Sequence, residues 1–144
     1  MKIRKVKKEE KMSKLLNLSE ATYLALHGLV HIASNTPNRV SVKEIARVLN
    51  ASEAHLSKIF QKLTRAGIVN SVRGPQGGFE LSRSPKHVSF LEIIELFEGE
   101  IEVTGCPFGK KHCVFRSCII DDEVAVATKT IYDRFKNMVL ADFM

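Results

Sequence analysis

Residues 73 to 78 read Arg-Gly-Pro-Gln-Gly-Gly, and no other stretch of the chain restricts its fold as much. Three glycines and a proline in six positions cannot continue a helix or a strand, so the segment must turn. Ile68, Val69 and Val72 precede it and an apolar alternation from Phe79 to Leu81 follows, which predicts a β-hairpin with a glycine-rich tip. Upstream, Ser19 is placed to cap a helix over 19 to 34, whose Leu26, Leu29, Val30 and Ala33 recur at helical spacing and which ends before Asn35, Pro37 and Asn38. Ser41 and Glu44 read as a capping box for a short helix with Val42, Ile45, Ala46 and Leu49 on one face. Asn50 and Ala51 make a turn, and Ser52 caps a third helix, 53 to 66, with the stripe Leu56, Ile59, Phe60 and Leu63 and a stop at Gly67. Two capped helices across a tight turn, followed by a glycine-tipped hairpin, describe a winged helix-turn-helix.

Downstream, Ser89 and Glu92 form a second capping box for a helix carrying Leu91, Ile94 and Phe97 and ending at Gly99. Residues 99 to 118 then lose all periodicity and hold the three cysteines. From 119 to 140 the residues Ile120, Val124, Ala127, Ile131, Phe135 and Met138 form one apolar seam, predicting a long helix that needs an apolar partner and hence a homodimer. The expected fold is mainly α with a small β-hairpin wing, a winged helix-turn-helix plus a long C-terminal dimerisation helix. Its expected divisions are a basic arm over 1–17, the DNA-binding domain over 18–98, a cysteine loop over 99–118 and the dimerisation helix over 119–144.

With 44% hydrophobic residues among 144, the chain can build a core, which excludes disorder as a global description. Its apolar stretches are far shorter than a membrane helix requires, and the basic start has no apolar signal core behind it, so a soluble, cytoplasmic protein without a membrane partner is expected. The net charge of +6 is unevenly placed. Residues 1 to 17 carry seven basic side chains against Glu9 and Glu10. Residues 55 to 87 hold Lys58, Lys62, Arg65, Arg73, Arg83 and Lys86 against Glu80 alone, whereas 88 to 105 hold five glutamates and no base. Such asymmetry fits a nucleic-acid surface better than a solubilising one, although solvated helix faces also carry charge.

With its apolar stripe inward, helix 53 to 66 turns Ala54, Ser57, Lys58, Gln61 and Arg65 outward. Ser57, Lys58 and Gln61 can donate to base edges in a major groove, Ala54 fits beside a thymine methyl, and Lys62 and Arg65 can neutralise phosphates. Arg73 and Gln76 at the wing can reach a minor groove. Double-stranded DNA is the partner these residues imply.

Cys106, Cys113 and Cys118 are spaced C-x6-C-x4-C. An odd number of cysteines without a secretion signal argues against a disulfide framework and leaves thiolates to explain. Three thiolates on one loop suit an iron-sulfur cluster, with Lys110, Lys111 and Arg116 offsetting its charge and Phe108, Val114, Phe115 and Ile119 limiting solvent. On spacing alone, zinc with His112 or a set of reactive thiols is equally admissible. A redox or metal-transfer protein, in which the cysteines do chemistry and the winged domain only binds a protein partner, is disfavoured, since there is neither a nucleophile–base pair nor a C-x-x-C motif.

The segment VSVKEIARVLNASEAHLSKIFQKLTRAGIVNSVRGPQGGFELSRSPKHVSFLEIIELFEG resembles, nearly end to end, the IscR, NsrR and CymR family of bacterial winged-helix regulators, the Rrf-two type. LSEATYLALHGLVHIA is similar to the family's first helix, and the cysteine loop with its following helix to the family's sensor and dimerisation segment. The resemblance implies homodimers on palindromic promoter sites, with the third helix in the major groove and Arg73 at the wing. It also implies a cluster, either 2Fe-2S or 4Fe-4S, on Cys106, Cys113 and Cys118, since cluster-binding members carry three cysteines in this loop. Some members add a histidine three residues after the last cysteine, where this chain has Asp121; in another branch a histidine matching His27 is the fourth ligand, which makes His27 the first choice. Sensing by thiol oxidation or a small metabolite, without a cluster, is the alternative.

Overall fold

A computed structural model of the chain describes residues 16–104, 113–120 and 122–144. The elements follow in the order α1 (Glu20–Ser34), α2 (Val42–Leu49), α3 (Glu53–Arg65), β1 (Val69–Val72), β2 (Gly78–Leu81), α4 (Phe90–Glu98) and α5 (Glu123–Asn137), with short 3-10 turns at Pro85–His87 and Leu140–Phe143. Among the described residues no helix is long and apolar enough to cross a membrane.

The helix starts are set by serines. Ser19, Ser41, Ser52 and Ser89 each accept a hydrogen bond from the backbone N–H three residues on, which satisfies a donor the helix itself leaves unpaired. The reciprocal halves of the two capping boxes are not made. Glu44 turns instead to His31, 3.1 Å away on α1, and Glu92 turns to Arg83 at the base of the hairpin. A local pattern has been converted in both cases into a link between elements. At α1 the reverse occurs: Thr22 stands where a capping-box glutamate would, and Glu98 at the end of α4 takes that role, accepting from Ser19 N at 2.7 Å and from the Thr22 hydroxyl.

The core is made by α1, α3, α4 and the hairpin. Leu29, Ile32, Ile45, Leu56, Phe60, Leu63, Ile68, Ile93 and Ile94 are all but fully buried. Gly28 lets α1 approach α3, for a Cβ there would lie 2.8 Å from Phe60 Cζ. The turn between α2 and α3 places Asn50 in the left-handed region, φ 51°, a conformation asparagine tolerates better than most residues.

The hairpin pairs antiparallel in the register Val69↔Leu81 to Val72↔Gly78. It is anchored on a third segment. Val40 N–H donates to the Phe79 carbonyl at 3.0 Å and Phe79 N–H donates to that of Val40 at 2.8 Å. Gly78 is required at this junction, since its φ is +147° and a Cβ would lie 2.7 Å from the Val40 carbonyl oxygen. The Phe79 ring packs on Phe60 with centroids 4.8 Å apart, which couples the wing to α3.

The last helix is shorter than its apolar seam. It runs from Glu123 to Asn137, leaving Ile120 before it and Met138 beyond it in extended conformation. The chain then returns to the body: Phe90 N–H donates to the Met138 carbonyl at 2.9 Å, Leu140 N–H donates to that of Val88 at 3.1 Å, and Leu140 is fully buried. Burying a leucine contributes roughly 1.5 to 3 kcal/mol. That gain, with two backbone hydrogen bonds, goes to the strand-like return of the chain instead of to a further helical turn.

Candidate nucleic-acid interface

The direction of the exposed face of α3 follows from its stripe. With Leu56, Ile59, Phe60 and Leu63 buried, Ala54, Lys58, Gln61 and Arg65 are exposed and Ser57 is half-buried. Arg73 and Gln76 are exposed at the wing tip. Ser57, Lys58, Gln61, Arg65, Arg73 and Gln76 make no side-chain hydrogen bond or ion pair among the described residues. Donors left uncommitted on a rigid helix and an anchored hairpin are what a groove-reading surface requires, because no internal bond has to break on docking.

Lys62 is placed differently. Its Nζ lies 4.9 Å from the centroid of the Phe97 ring on α4, and its charge helps to hold the Glu98 carboxyl below its ordinary range. The main causes of that shift are the hydrogen bond from Thr22, opposed by partial burial, and then the bonds from Ser19. Lys62 thus stands between the reading helix and the root of the cysteine segment.

Three basic residues beside this surface are not among those the sequence pattern singles out. Arg39 precedes the Val40 junction, its Nε donating to Glu80 Oε2 at 2.8 Å. Lys43 and Arg47, four apart on α2, line with Glu53 a groove of about 580 Å³ between α2 and the start of α3. Their spacing opposite the Val42, Ile45, Ala46 and Leu49 face is a usable signal, but a basic block that begins at residue 55 leaves them out.

Cys113 and Cys118 are both exposed, and the segment around them carries Val114, Phe115 and Ile119 at 88%, 60% and 77% exposure. Cys106, Phe108, Lys110, Lys111, His112 and Asp121 lie outside the described residues. His27 is exposed on α1, and its Nδ1 lies 2.7 Å from the Tyr23 carbonyl oxygen. A carbonyl only accepts, so Nδ1 donates this bond and Nε2 is left outside it. Among the described residues no cluster of three or more His, Cys, Asp or Glu side chains is assembled for a metal.

A helix-turn-helix with an anchored wing and an uncommitted basic face defines the class: a winged-helix transcriptional regulator. The model of the Rrf2 family, described as an iron-dependent transcriptional regulator, matches residues 18–144, and the chain belongs to that family. It is 31% identical over 101 residues to the HTH-type transcriptional regulator NsrR of Bacillus licheniformis, covering 69% of this chain and 71% of that one. Among solved structures, T. potens IscR is similar with a TM-score of 0.70 at 27% identity, covering 88% of this chain and 85% of that one. CymR, the global cysteine regulator of B. subtilis, shares the fold with a TM-score of 0.74 at 24% identity, over 88% of this chain and 95% of its own. The relatives are named as regulators, a non-enzymatic role.

Proposed function

We propose that the chain acts as a homodimer on a palindromic double-stranded operator, with α3 in the major groove, the wing at the adjacent minor groove, and DNA affinity governed by the cysteine segment. The observation that carries this is the uncommitted row Ser57, Lys58, Gln61 and Arg65 on a helix whose opposite face is locked into the core. Ala54 lies beside that row, and Arg73 and Gln76 extend it across the hairpin. A single winged module covers one half-site, so two-fold symmetry supplies the remaining affinity and matches a palindrome.

For sensing, we favour an iron-sulfur cluster, 2Fe-2S or 4Fe-4S, on Cys106, Cys113 and Cys118, completed by His27 of the partner subunit in preference to Asp121. The donor chemistry suits it. Two exposed thiols sit among apolar side chains able to shield a cluster, and the His27 ring is oriented with Nε2 available. Bound there, a cluster would supply a redox- or ligand-sensitive tie between the cysteine segment and α1. The exposure of Cys113 and Cys118 also favours a second reading, sensing by thiol oxidation.

One preparation tests both parts. Protein purified without oxygen is assayed for visible absorption, for iron and sulfide per chain, and for affinity to a selected operator. A cluster requires absorption and acid-labile sulfide that Cys113→Ser abolishes; a colourless parent whose affinity follows thiol oxidation transfers sensing to the thiols. Lys58→Ala is expected to weaken operator binding by about 1 to 3 kcal/mol with little change on random duplex. Lys62→Ala is expected to change affinity on both duplexes less than Arg65→Ala does, given its position over Phe97.

A further inference from the structure

Glu80 is the one acidic side chain in the basic block from 55 to 87, and the docking surface leaves it without a role. A carboxylate beside a face that meets phosphates opposes binding, so its position calls for a physical reason. Its partner supplies one. Glu80 Oε2 accepts from Arg39 Nε at 2.8 Å, the two side chains being 36% and 40% exposed. Arg39 lies outside that block, on the turn between α1 and α2, where the Val40–Phe79 bridge seats the wing.

The pairing uses only Nε. The two terminal nitrogens of Arg39 make no other hydrogen bond among the described residues. Arg39 and Arg73 line one groove of about 390 Å³ with Val72, Pro75 and Gln76 at the root of the wing. The groove's two walls come from different elements, and both carry a guanidinium with free donors. A guanidinium fixed through Nε presents its terminal N–H groups as a planar fork, the geometry that matches two oxygens of a phosphate.

We propose that this groove seats one phosphate of the DNA backbone between Arg39 and Arg73, and that Glu80 is a positioning residue that holds Arg39 for it. The seat rests on the docking of α3 and the wing proposed for the operator. It fixes the angle at which the wing meets the duplex, as phosphate contacts set register without reading sequence. Glu80 thus lowers the general attraction for nucleic acid while sharpening the bound geometry.

The test measures fluorescence anisotropy of the full chain on a selected operator and on a random duplex across a salt series, for the parent, Arg39→Ala, Glu80→Gln, Arg73→Ala and Lys58→Ala. Arg39→Ala is expected to weaken both duplexes by about tenfold and to reduce the salt slope by about one. Glu80→Gln is the decisive variant. It removes a negative charge, so charge alone predicts tighter binding to both duplexes, whereas a freed Arg39 predicts severalfold weaker operator binding with random duplex unchanged or tighter. Operator binding by Glu80→Gln equal to or tighter than the parent's overturns the proposal, as does Arg39→Ala binding like the parent while Arg73→Ala and Lys58→Ala are weakened. If Arg73→Ala and Lys58→Ala also bind like the parent, the docking itself has failed and the seat with it. Both partners are more than a third exposed and form no part of the core, so the variants are expected to unfold at the parent's temperature, checked by circular dichroism.

Discussion

In the body built from α1 to α4 and the hairpin, the large apolar side chains of Leu29, Phe60, Leu63 and Ile94 are withdrawn completely from solvent, whereas α5 has no buried residue. Val124 and Val126 on α5 are 45% and 60% exposed, and Phe115 and Ile119 just before it are exposed as well. The chain contains enough apolar surface for one closed core and a surplus, and the surplus is concentrated at the C-terminal side of the cysteine segment. A body that satisfies itself can hold a reading surface rigid. The last helix sets Phe135 against that core but leaves Val124 and Val126 to solvent, an apolar surface of the kind that a second chain would cover.

Leu140 is where this division gives way, because it lies beyond α5 yet belongs to the core of the body. Leu140→Ala is expected to have the largest effect on the fold, a destabilisation of about 2 to 5 kcal/mol read as a shift of the urea midpoint. The cost includes the cavity as well as the lost transfer of the side chain. A change under about 0.5 kcal/mol, the range of an ordinary surface substitution, would show that the last residues are docked only weakly, and α5 would then be free at both ends.

The converse holds on α5. Val124→Asp is expected to alter the stability of the single chain by no more than about 0.5 kcal/mol, since an exposed valine has little packing to lose. It is expected to move sedimentation from dimer toward monomer at micromolar concentration, because a charge in an apolar interface is left unpaired. An unmodified chain that is already monomeric there would remove the need for a partner and leave the exposure of Val124 and Val126 without an account.

How much of this can be read from residues depends on whether the cause is local. The starts and stops of α1 to α4 are legible because Ser19, Ser41, Ser52 and Ser89 and the glycines at 67 and 99 act within one helical turn. The hairpin is legible because Gly74, Pro75, Gly77 and Gly78 break any regular element within a few residues while apolar residues flank them on both sides. What escapes is long-range. The helical period gives the direction of Lys62 but not the Phe97 ring opposite it. Glu44 and Glu92 fit their capping boxes in sequence, and only the folded chain offers His31 and Arg83 as partners. Met138 continues a helical seam in sequence, while the strand-like pairing of Val139 with Ser89 that ends the helix joins positions fifty residues apart. Of the candidate interface, the α3 row follows from periodicity and the wing tip from its glycines, and the period of α2 offers Lys43 and Arg47 as well, whereas Arg39 lies on a turn that only the fold brings beside the wing.

The smallest effect lies where body and cysteine segment join. Glu98 ends α4, where its charge opposes that helix's own dipole, but it faces the N-terminus of α1 and accepts from Ser19 N and the Thr22 hydroxyl. These bonds, the one from Thr22 foremost, hold its carboxyl below its ordinary 4.5 in the folded chain, against a partial burial that pushes it up. A carboxylate depressed by folding contributes stability at pH above its unfolded value, and that contribution is lost as pH falls through the folded one. Glu98→Gln keeps an acceptor for Ser19 and Thr22 but removes the charge. Its stability deficit against the parent is therefore expected to be largest near neutrality and to close as pH drops below about 4.5, with the effect kept small by solvent around an exposed group. The measurement is the difference in urea midpoint between parent and variant from about pH 7 down to about pH 3.5, a range that brackets the titration. Parallel curves across that range would mean that the link between α1 and α4 does not depend on the carboxylate charge, and the root of the cysteine segment would then be held to α1 by neutral hydrogen bonds alone.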